Sequence, residues 1–264
     1  MALDHHLGLE NEVLGKVINF TKIGQENQQI VISCEDVSIS SAIFHSLLRI
    51  CWKMCSPSSR LMSSATNENS GKDPVKIILI LMNRSFQDHS KIMSRNFGIS
   101  LKESGNIRLV TIDVLSDYCV LAELTPLKLL DRIVQQISDN LKDSTKTIIL
   151  FDDISCLLQI GIPFEYVYPF VHRVRCLSMT SNSCLIMHTF FDYDEDDIES
   201  NQLCEYISKG ATFWLECSKL RTGFSEKIDG SLKIHDFSTG IYKRESYRFG
   251  KTLRGIRMEL HKQE

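Results

Sequence analysis

Short apolar runs alternate with segments of helical periodicity along most of the chain, and this order constrains the fold more than any other feature. The runs KIILILM (76–82) and KTIILF (146–151) have no alternating polar positions, which is typical of strands covered on both faces. Between them lies the helical segment 125–141, with Thr125 as a natural N-cap and Pro126 in the first turn. This order predicts a mostly parallel sheet flanked by helices.

Other segments extend the alternation. Strand patterns occupy residues 30–34, 107–114 and 184–191. Helical patterns occupy residues 38–54, 85–98, 163–179 and 197–210. Gly98 is the expected residue after its helix, and Pro169 is a position at which the helix 163–179 is expected to split.

The pattern changes after residue 210. Four stretches, ATFWLECSKL, SLKIHDF, IYKRESYRF and TLRGIRMEL, follow with turn residues and no helical pattern, which is typical of antiparallel strands. In the last stretch, alternation places three apolar residues inside, namely Ile256, Met258 and Leu260, and leaves Arg257 and Glu259 outside.

We therefore predict a single domain over residues 1–264, of α/β class. Residues 211–264 form its β-rich antiparallel C-terminal extension. The Ser-rich segment 56–74 has proline near both ends and is expected to be a loop or a disordered insertion, because a strand pattern resumes directly after it.

The charge of the chain is polarised. The net charge is −3, which excludes a polycation built for nucleic acid as a whole. From Lys219 to the end, however, eleven Lys/Arg stand against six Asp/Glu, so the C-terminal part is basic and the remainder acidic. A two-sided, solvated β region explains the same pattern.

Nine cysteines are scattered along the chain without the paired spacing of zinc ligands, so we expect reduced thiols and no metal site. The first fifteen residues lack the apolar core of a signal peptide. No run approaches the roughly 18 apolar residues that a membrane span needs, and we therefore expect no membrane association.

Two aspartates, Asp152 and Asp153, follow the apolar run 146–151 directly. An apolar strand that ends in Asp resembles the magnesium-binding side of P-loop NTPases, where carboxylates hold Mg²⁺ or polarise a water. Strands also end in Asp simply because Asp starts turns, so this signal needs a phosphate loop beside it.

The phosphate loop is missing. The first strand runs into CEDVSISSAI, which has no glycine and no lysine and which places Glu35 and Asp36 where phosphate would lie. Two short matches, SGKD (70–73) and GKT (250–252), stand in the wrong context, before strand patterns. There is no Walker A motif, and we interpret the aspartates as a degenerate Walker B-like position that binds no cofactor and acts structurally or at a subunit boundary.

Four stretches together resemble the family of the sixth Elongator subunit, whose members are RecA-like, that is P-loop NTPase-like, without a working phosphate loop. These stretches are RSFQDHSKIMSRNFGISL (84–101), LFDDISCLLQIGIP (150–163), FVHRVRC (170–176) and CSKLRTGFSEKIDGSLKI (217–234). They keep their order and span most of residues 76–235, whereas both termini and the Ser-rich insertion match poorly.

The resemblance implies a non-catalytic subunit that forms a hetero-hexameric ring with the fourth and fifth Elongator subunits, also RecA-like. The ring attaches to a catalytic core that modifies C5 of wobble uridine in tRNA, and it binds tRNA. The expected location is the cytoplasm, with the nucleus in addition. Two alternatives remain: a degenerate or atypical NTPase, and a recombinase-like module that binds single-stranded DNA.

Basic residues near the C-terminus are the expected RNA or partner contacts, and three aromatic residues, Tyr242, Tyr247 and Phe249, lie among them. The basic set is Lys219, Arg221, Lys227, Lys243, Arg244, Arg248, Lys251, Arg254 and Arg257. The acidic segment 192–199 is expected to be a solvated loop, or else to dock on a basic partner. The histidines His89 and His172 are expected to be structural.

Overall fold

The computed structural model describes residues 13–15, 17, 27–55, 75–101, 108–116, 125–142, 146–191, 197–220, 228–252 and 255–260. The strands are β1 (Gln28–Cys34), β2 (Lys76–Leu81), β3 (Arg108–Asp113), β4 (Thr147–Phe151), β5 (Cys184–Phe190), β6 (Phe213–Ser218), β7 (Gly230–Asp236), β8 (Lys243–Thr252) and β9 (Gly255–Leu260). The helices used below are α1 (Val37–Cys55), α2 (Phe86–Phe97), α3 (Pro126–Leu141), α4 (Cys156–Gln159), α5 (Phe164–Thr180) and α6 (Ile198–Lys209).

All nine strands form one sheet in the order β3-β2-β4-β5-β1-β6-β7-β8-β9. The first six strands in that order pair in parallel, as their apolar sequences predicted. The last three follow as antiparallel neighbours. The predicted fold, a mostly parallel sheet with an antiparallel C-terminal extension, is confirmed.

One strand differs from the prediction. The stretch ATFWLECSKL was expected to be antiparallel, but its strand β6 pairs in parallel with β1 and antiparallel only with β7. The reason is the helix α6, which carries the chain back across the sheet between β5 and β6, and such crossovers produce parallel pairs.

Two apolar layers cover the sheet. On one face, α1 packs against β1 and β9, and its buried residues, among them Ile43 and Leu47, join the apolar side of β6–β9 in one core cluster. On the other face, α3, α5 and α6 bury a second cluster that includes Ile133 and Val174. Strands between these layers are buried throughout, as in β2 and β4.

Helix ends follow the sequence in part. Gly98 ends α2 with φ 66°, a left-handed conformation that glycine adopts without strain. Thr125 precedes α3 as expected, although its side chain makes no cap hydrogen bond. Pro169 does not split α5, which is continuous. The ring of Pro169 is exposed, so water can take the place of the backbone hydrogen bond that proline cannot donate.

The ends of the described segments bear on three further predictions. Ile256 and Met258 are buried as expected, but Leu260 is 55% exposed because it is the last residue of β9. The Ser-rich segment 56–74 lies outside the described residues, so the prediction of one domain over residues 1–264 stays a prediction. Among the described residues, no helix is long and apolar enough to span a membrane.

Candidate functional site

Asp152 lies at the carboxyl end of β4 and is 5% exposed. Its Oδ1 accepts a hydrogen bond from the backbone N–H of Met82 at 2.7 Å, and its Oδ2 accepts one from Arg84 at 3.0 Å. The N–H of Asn83 is 3.2 Å from both carboxylate oxygens. Three successive N–H groups of the turn after β2 therefore converge on one carboxylate, which fastens that turn to β4.

A chain of two buried histidines ends at the same carboxylate. His45 Nδ1 lies 2.6 Å from the carbonyl oxygen of Ser41, so this nitrogen carries the proton that it donates. Burial, and then the charge of His89, lower the pKa of His45 to about 3, so the ring is neutral and its Nε2 is an acceptor. The proton between His45 Nε2 and His89 Nδ1, which are 3.1 Å apart, therefore belongs to His89.

The other nitrogen of His89, Nε2, lies 3.2 Å from Asp152 Oδ2 and needs a proton to make that contact favourable. The hydrogen-bond directions thus give His89 both ring protons and a positive charge. His89 and Asp152 form an ion pair with side chains only 1% and 2% exposed. A charge of this chain occupies the place beside Asp152 that a divalent cation takes in a P-loop NTPase.

Asp153 is also engaged within the fold. Its Oδ1 accepts from the backbone N–H of Ser155 at 3.0 Å and from the Ser155 hydroxyl at 2.5 Å, which holds the turn into α4. Its Oδ2 accepts from the side-chain amide of Asn83 at 3.2 Å and from the thiol of Cys156 at 3.4 Å. Burial raises the pKa of Asp153, which weakens it as a ligand for a cation.

The turn after β1, where a phosphate loop would lie, is closed. Cys34 and Asp36 bond to each other there: the Asp36 N–H donates to Cys34 Sγ at 3.4 Å, and the thiol faces the Asp36 carbonyl at 3.2 Å. That carbonyl also accepts the N–H groups of Ile39 and Ser40 in the first turn of α1. The Asp36 carboxylate pairs with Lys219 at 3.2 Å, so an acid stands at the end of α1 that would face phosphate.

These contacts decide whether a nucleotide and Mg²⁺ fit. The oxygens of Asp152 and Asp153 already accept hydrogen bonds from protein donors, and a fixed carboxylate stands at the phosphate position. The described residues contain no group of three or more side chains spaced to hold a metal ion. The residues present do not fit a nucleotide–magnesium complex.

The burial of His45 gives a pH dependence to stability. The pKa of His45 is about 3 in the folded chain and near the ordinary 6.5 when unfolded, so only the unfolded chain takes up a proton between these values. Stability is therefore complete above about pH 6.5 and falls toward pH 3, by up to about 1.4 kcal/mol per pH unit. We expect His45→Gln to reduce the slope of unfolding free energy against pH between about pH 7 and pH 5; an unchanged slope would contradict this assignment.

The second feature is the C-terminal part of the sheet, β6–β9, whose two faces differ. One face is apolar and joins the core beneath α1, with residues such as Leu232 and Phe249 fully buried. The strand register places mostly polar and basic side chains on the opposite face, which we call the open face: Trp214, Glu216, Lys233, His235, Arg244, Ser246, Arg248, Arg257 and Glu259.

The open face brings together some of the predicted RNA contacts and separates others. Arg244, Arg248 and Arg257 share it, and the first two are exposed. Lys243 and Lys251 alternate with them on β8 and belong to the other face. Lys219 lies by Asp36 instead. Three further residues, Arg221, Lys227 and Arg254, and the acidic residues 192–196 lie outside the described residues.

A buried polar cluster at the start of the open face was not found from the sequence. Glu216 accepts hydrogen bonds from Lys233 at 2.6 Å and from His235 Nε2 at 3.0 Å. Burial alone would raise the pKa of Glu216, but these two partners outweigh it and lower the pKa to about 2. His235 stacks on Trp214, with ring centroids 4.4 Å apart. The signal was the period-two spacing of Lys233 and His235, which puts both on one face of β7.

His172, by contrast, is exposed on α5. It contacts Cys176 Sγ at 3.6 Å and the Tyr206 hydroxyl at 3.5 Å, so it lies apart from the histidine pair at Asp152.

The sheet order, the helices on both faces and the closed turn after β1 define an α/β protein of the RecA-like class without a phosphate loop. A KaiC-like protein from the hyperthermophilic archaeon Pyrococcus horikoshii OT3 has the same fold, with a TM-score of 0.51 over 89% of this chain and 90% of that chain. The two sequences are 11% identical, so this similarity concerns the fold alone.

Sequence comparison identifies the family. The family described as Elongation complex protein 6 matches residues 72–248, and the chain therefore belongs to that family. The human Elongator complex protein 6 is 30% identical over 93 residues, which make up 34% of this chain and 34% of the human protein. The resemblance inferred from the four sequence stretches is confirmed.

Proposed function

We propose that this chain is a non-catalytic subunit of the Elongator complex, which forms a RecA-like hetero-hexameric ring with the fourth and fifth subunits. The observation that carries the proposal is the closed nucleotide position, where His89 takes the place beside Asp152 and Asp36 stands at the phosphate end of α1. A fold that keeps its sheet but closes its site in this way is suited to assembly rather than to phosphoryl transfer.

In this proposal, the ring attaches to the catalytic core that modifies C5 of wobble uridine, in the cytoplasm and also in the nucleus. The chain supports the modification by handling tRNA rather than by chemistry. The open face supports this role because Arg244 and Arg248 are exposed, with Arg257 on the neighbouring strand. Exposed arginines on a flat sheet are suited to contact phosphates.

Assembly tests the first half of the proposal. The full chain is co-expressed with the fourth and fifth Elongator subunits, and the mass of the product is measured by light scattering. We expect a hexamer with two copies of each subunit. A chain that stays monomeric, or that recovers only recombination proteins from its native cell, would contradict the assignment.

Charge removal on β8 tests the tRNA half. We expect Arg244→Ala with Arg248→Ala to weaken tRNA binding by the ring about tenfold and to lower the salt dependence by roughly two phosphate contacts. The control is Lys243→Ala with Lys251→Ala, which removes the same charge from the same strand but from its other face. Equal losses in both double variants would show that net charge, and not the open face, attracts tRNA.

A further inference from the structure

A groove of about 670 Å³ runs between α6 and the first strands of the C-terminal part of the sheet. Helix α6 contributes Asn201, Cys204, Glu205, Ser208 and Lys209. The sheet side contributes Phe191, Trp214, Glu216 and Phe237. Its volume falls within the range of small-molecule sites, and its walls are mostly apolar.

The aromatic wall of the groove continues onto the open face. Trp214 is fixed in place because its ring N–H donates to the Ser33 hydroxyl at 2.7 Å and one side of its ring stacks on His235. His235 stacks in turn toward Tyr242 at 5.9 Å, and Tyr242 lies 5.4 Å from Phe237. Both Phe237 and Tyr242 are more than 40% exposed, which provides a row of flat rings that leads out of the groove.

Charges surround the groove without entering it as unpaired groups. Within the lining, Lys209 pairs with Glu205 at 2.6 Å, and Glu216 pairs with Lys233 at 2.6 Å, so the formal charges cancel. The positive charges of the open face lie beyond this neutral pocket: the strand register sets Arg244 directly opposite His235. An aromatic pocket that is neutral inside and basic at its exit matches a flat, uncharged group attached to an anionic chain.

We propose that this groove takes one unpaired nucleobase of an RNA whose phosphates follow the open face. The base lies between the aromatic wall and α6, and its polar edge meets the Asn201 amide and the Ser208 hydroxyl at the helix. An apolar protein side chain would fill the groove but would leave those polar groups and the adjacent arginines without a role. The inference rests on the proposed contact with RNA and adds the site that reads a base.

Tryptophan fluorescence measures the site directly. The chain has two tryptophans, and Trp52 is 5% exposed within α1, so the full-length Trp52→Phe variant reports on Trp214. We expect a short single-stranded RNA to quench this signal because a base stacks beside the ring. An abasic oligonucleotide of the same length should leave it unchanged although its phosphates still bind.

Filling the groove provides the second measurement. Asn201→Phe puts a ring into the groove, whereas Gln202→Phe puts the same ring on the exposed neighbouring position of α6. We expect Asn201→Phe alone to weaken binding of the single-stranded RNA, by at least about fivefold, and to leave abasic binding as it was. Both affinities are measured by fluorescence anisotropy with the full chain and again with the assembled ring.

The outcomes separate this inference from the function on which it rests. RNA binding that depends on Arg244 and Arg248 but is neither quenched nor sensitive to Asn201→Phe overturns the base site and leaves the open-face proposal standing. Loss of ring assembly in Asn201→Phe, with RNA affinity unchanged, also overturns it, because the groove would then hold a protein side chain. Absence of any RNA binding by the wild-type chain and ring contradicts both.

Discussion

Asp152→Ala is expected to lower the free energy of unfolding by about 3–5 kcal/mol, the range observed when one partner of a buried ion pair is removed. The alanine leaves the N–H groups of Met82, Asn83 and Arg84 without their acceptor and leaves His89 charged and buried. Urea denaturation followed by circular dichroism measures the change.

The matched control is Asp131→Ala on α3. Asp131 also forms an ion pair, with Arg173, but both side chains are about half exposed. Its removal should cost less than about 1 kcal/mol because water screens and replaces the contact. If Asp152→Ala is as mild as this control, the carboxylate is not the structural anchor that the hydrogen bonds indicate.

His89→Ala is expected to have the second largest effect, about 3 kcal/mol or more, because it leaves the Asp152 carboxylate buried without its cation and His45 without a donor. His172→Ala, on an exposed face of α5, should change stability by no more than about 0.5 kcal/mol.

Combining the two sites separates charge from packing. In a double-mutant cycle, His89→Ala and Asp152→Asn should be coupled by about 1–3 kcal/mol, because the neutral amide no longer needs a cation. Additive losses would mean that His89 is neutral and that the assignment of both ring protons to it is wrong.

The sheet was accessible from the sequence because its signals are local. A fully apolar run such as β2 or β4 can lie only between two covering layers, and the helices between the strands fix their parallel direction. The antiparallel pairing expected for β6 was wrong on its β1 side, because that stretch was grouped with the strands after it. Leu260 was misplaced because alternation does not show where a strand ends.

The site was accessible only in part. Adjacent acids after an apolar strand identified Asp152 and Asp153, and the missing glycines showed that no phosphate loop stands beside them. The partners of Asp152 could not be found, because His89 and Met82 are some seventy residues away and meet it only through the pairing of β2 with β4. Likewise, net charge grouped the basic residues, whereas strand register divides them between two faces.

The most direct test of the central claim is a calorimetric titration of the full chain with ATP and Mg²⁺. The closed turn after β1 and the engaged carboxylates predict no saturable heat at millimolar nucleotide, in the wild type and in Asp153→Asn alike. Saturable binding that depends on Mg²⁺ and disappears in Asp153→Asn would contradict the account, because it would show that the nucleotide position is open and that its acids still serve a cation.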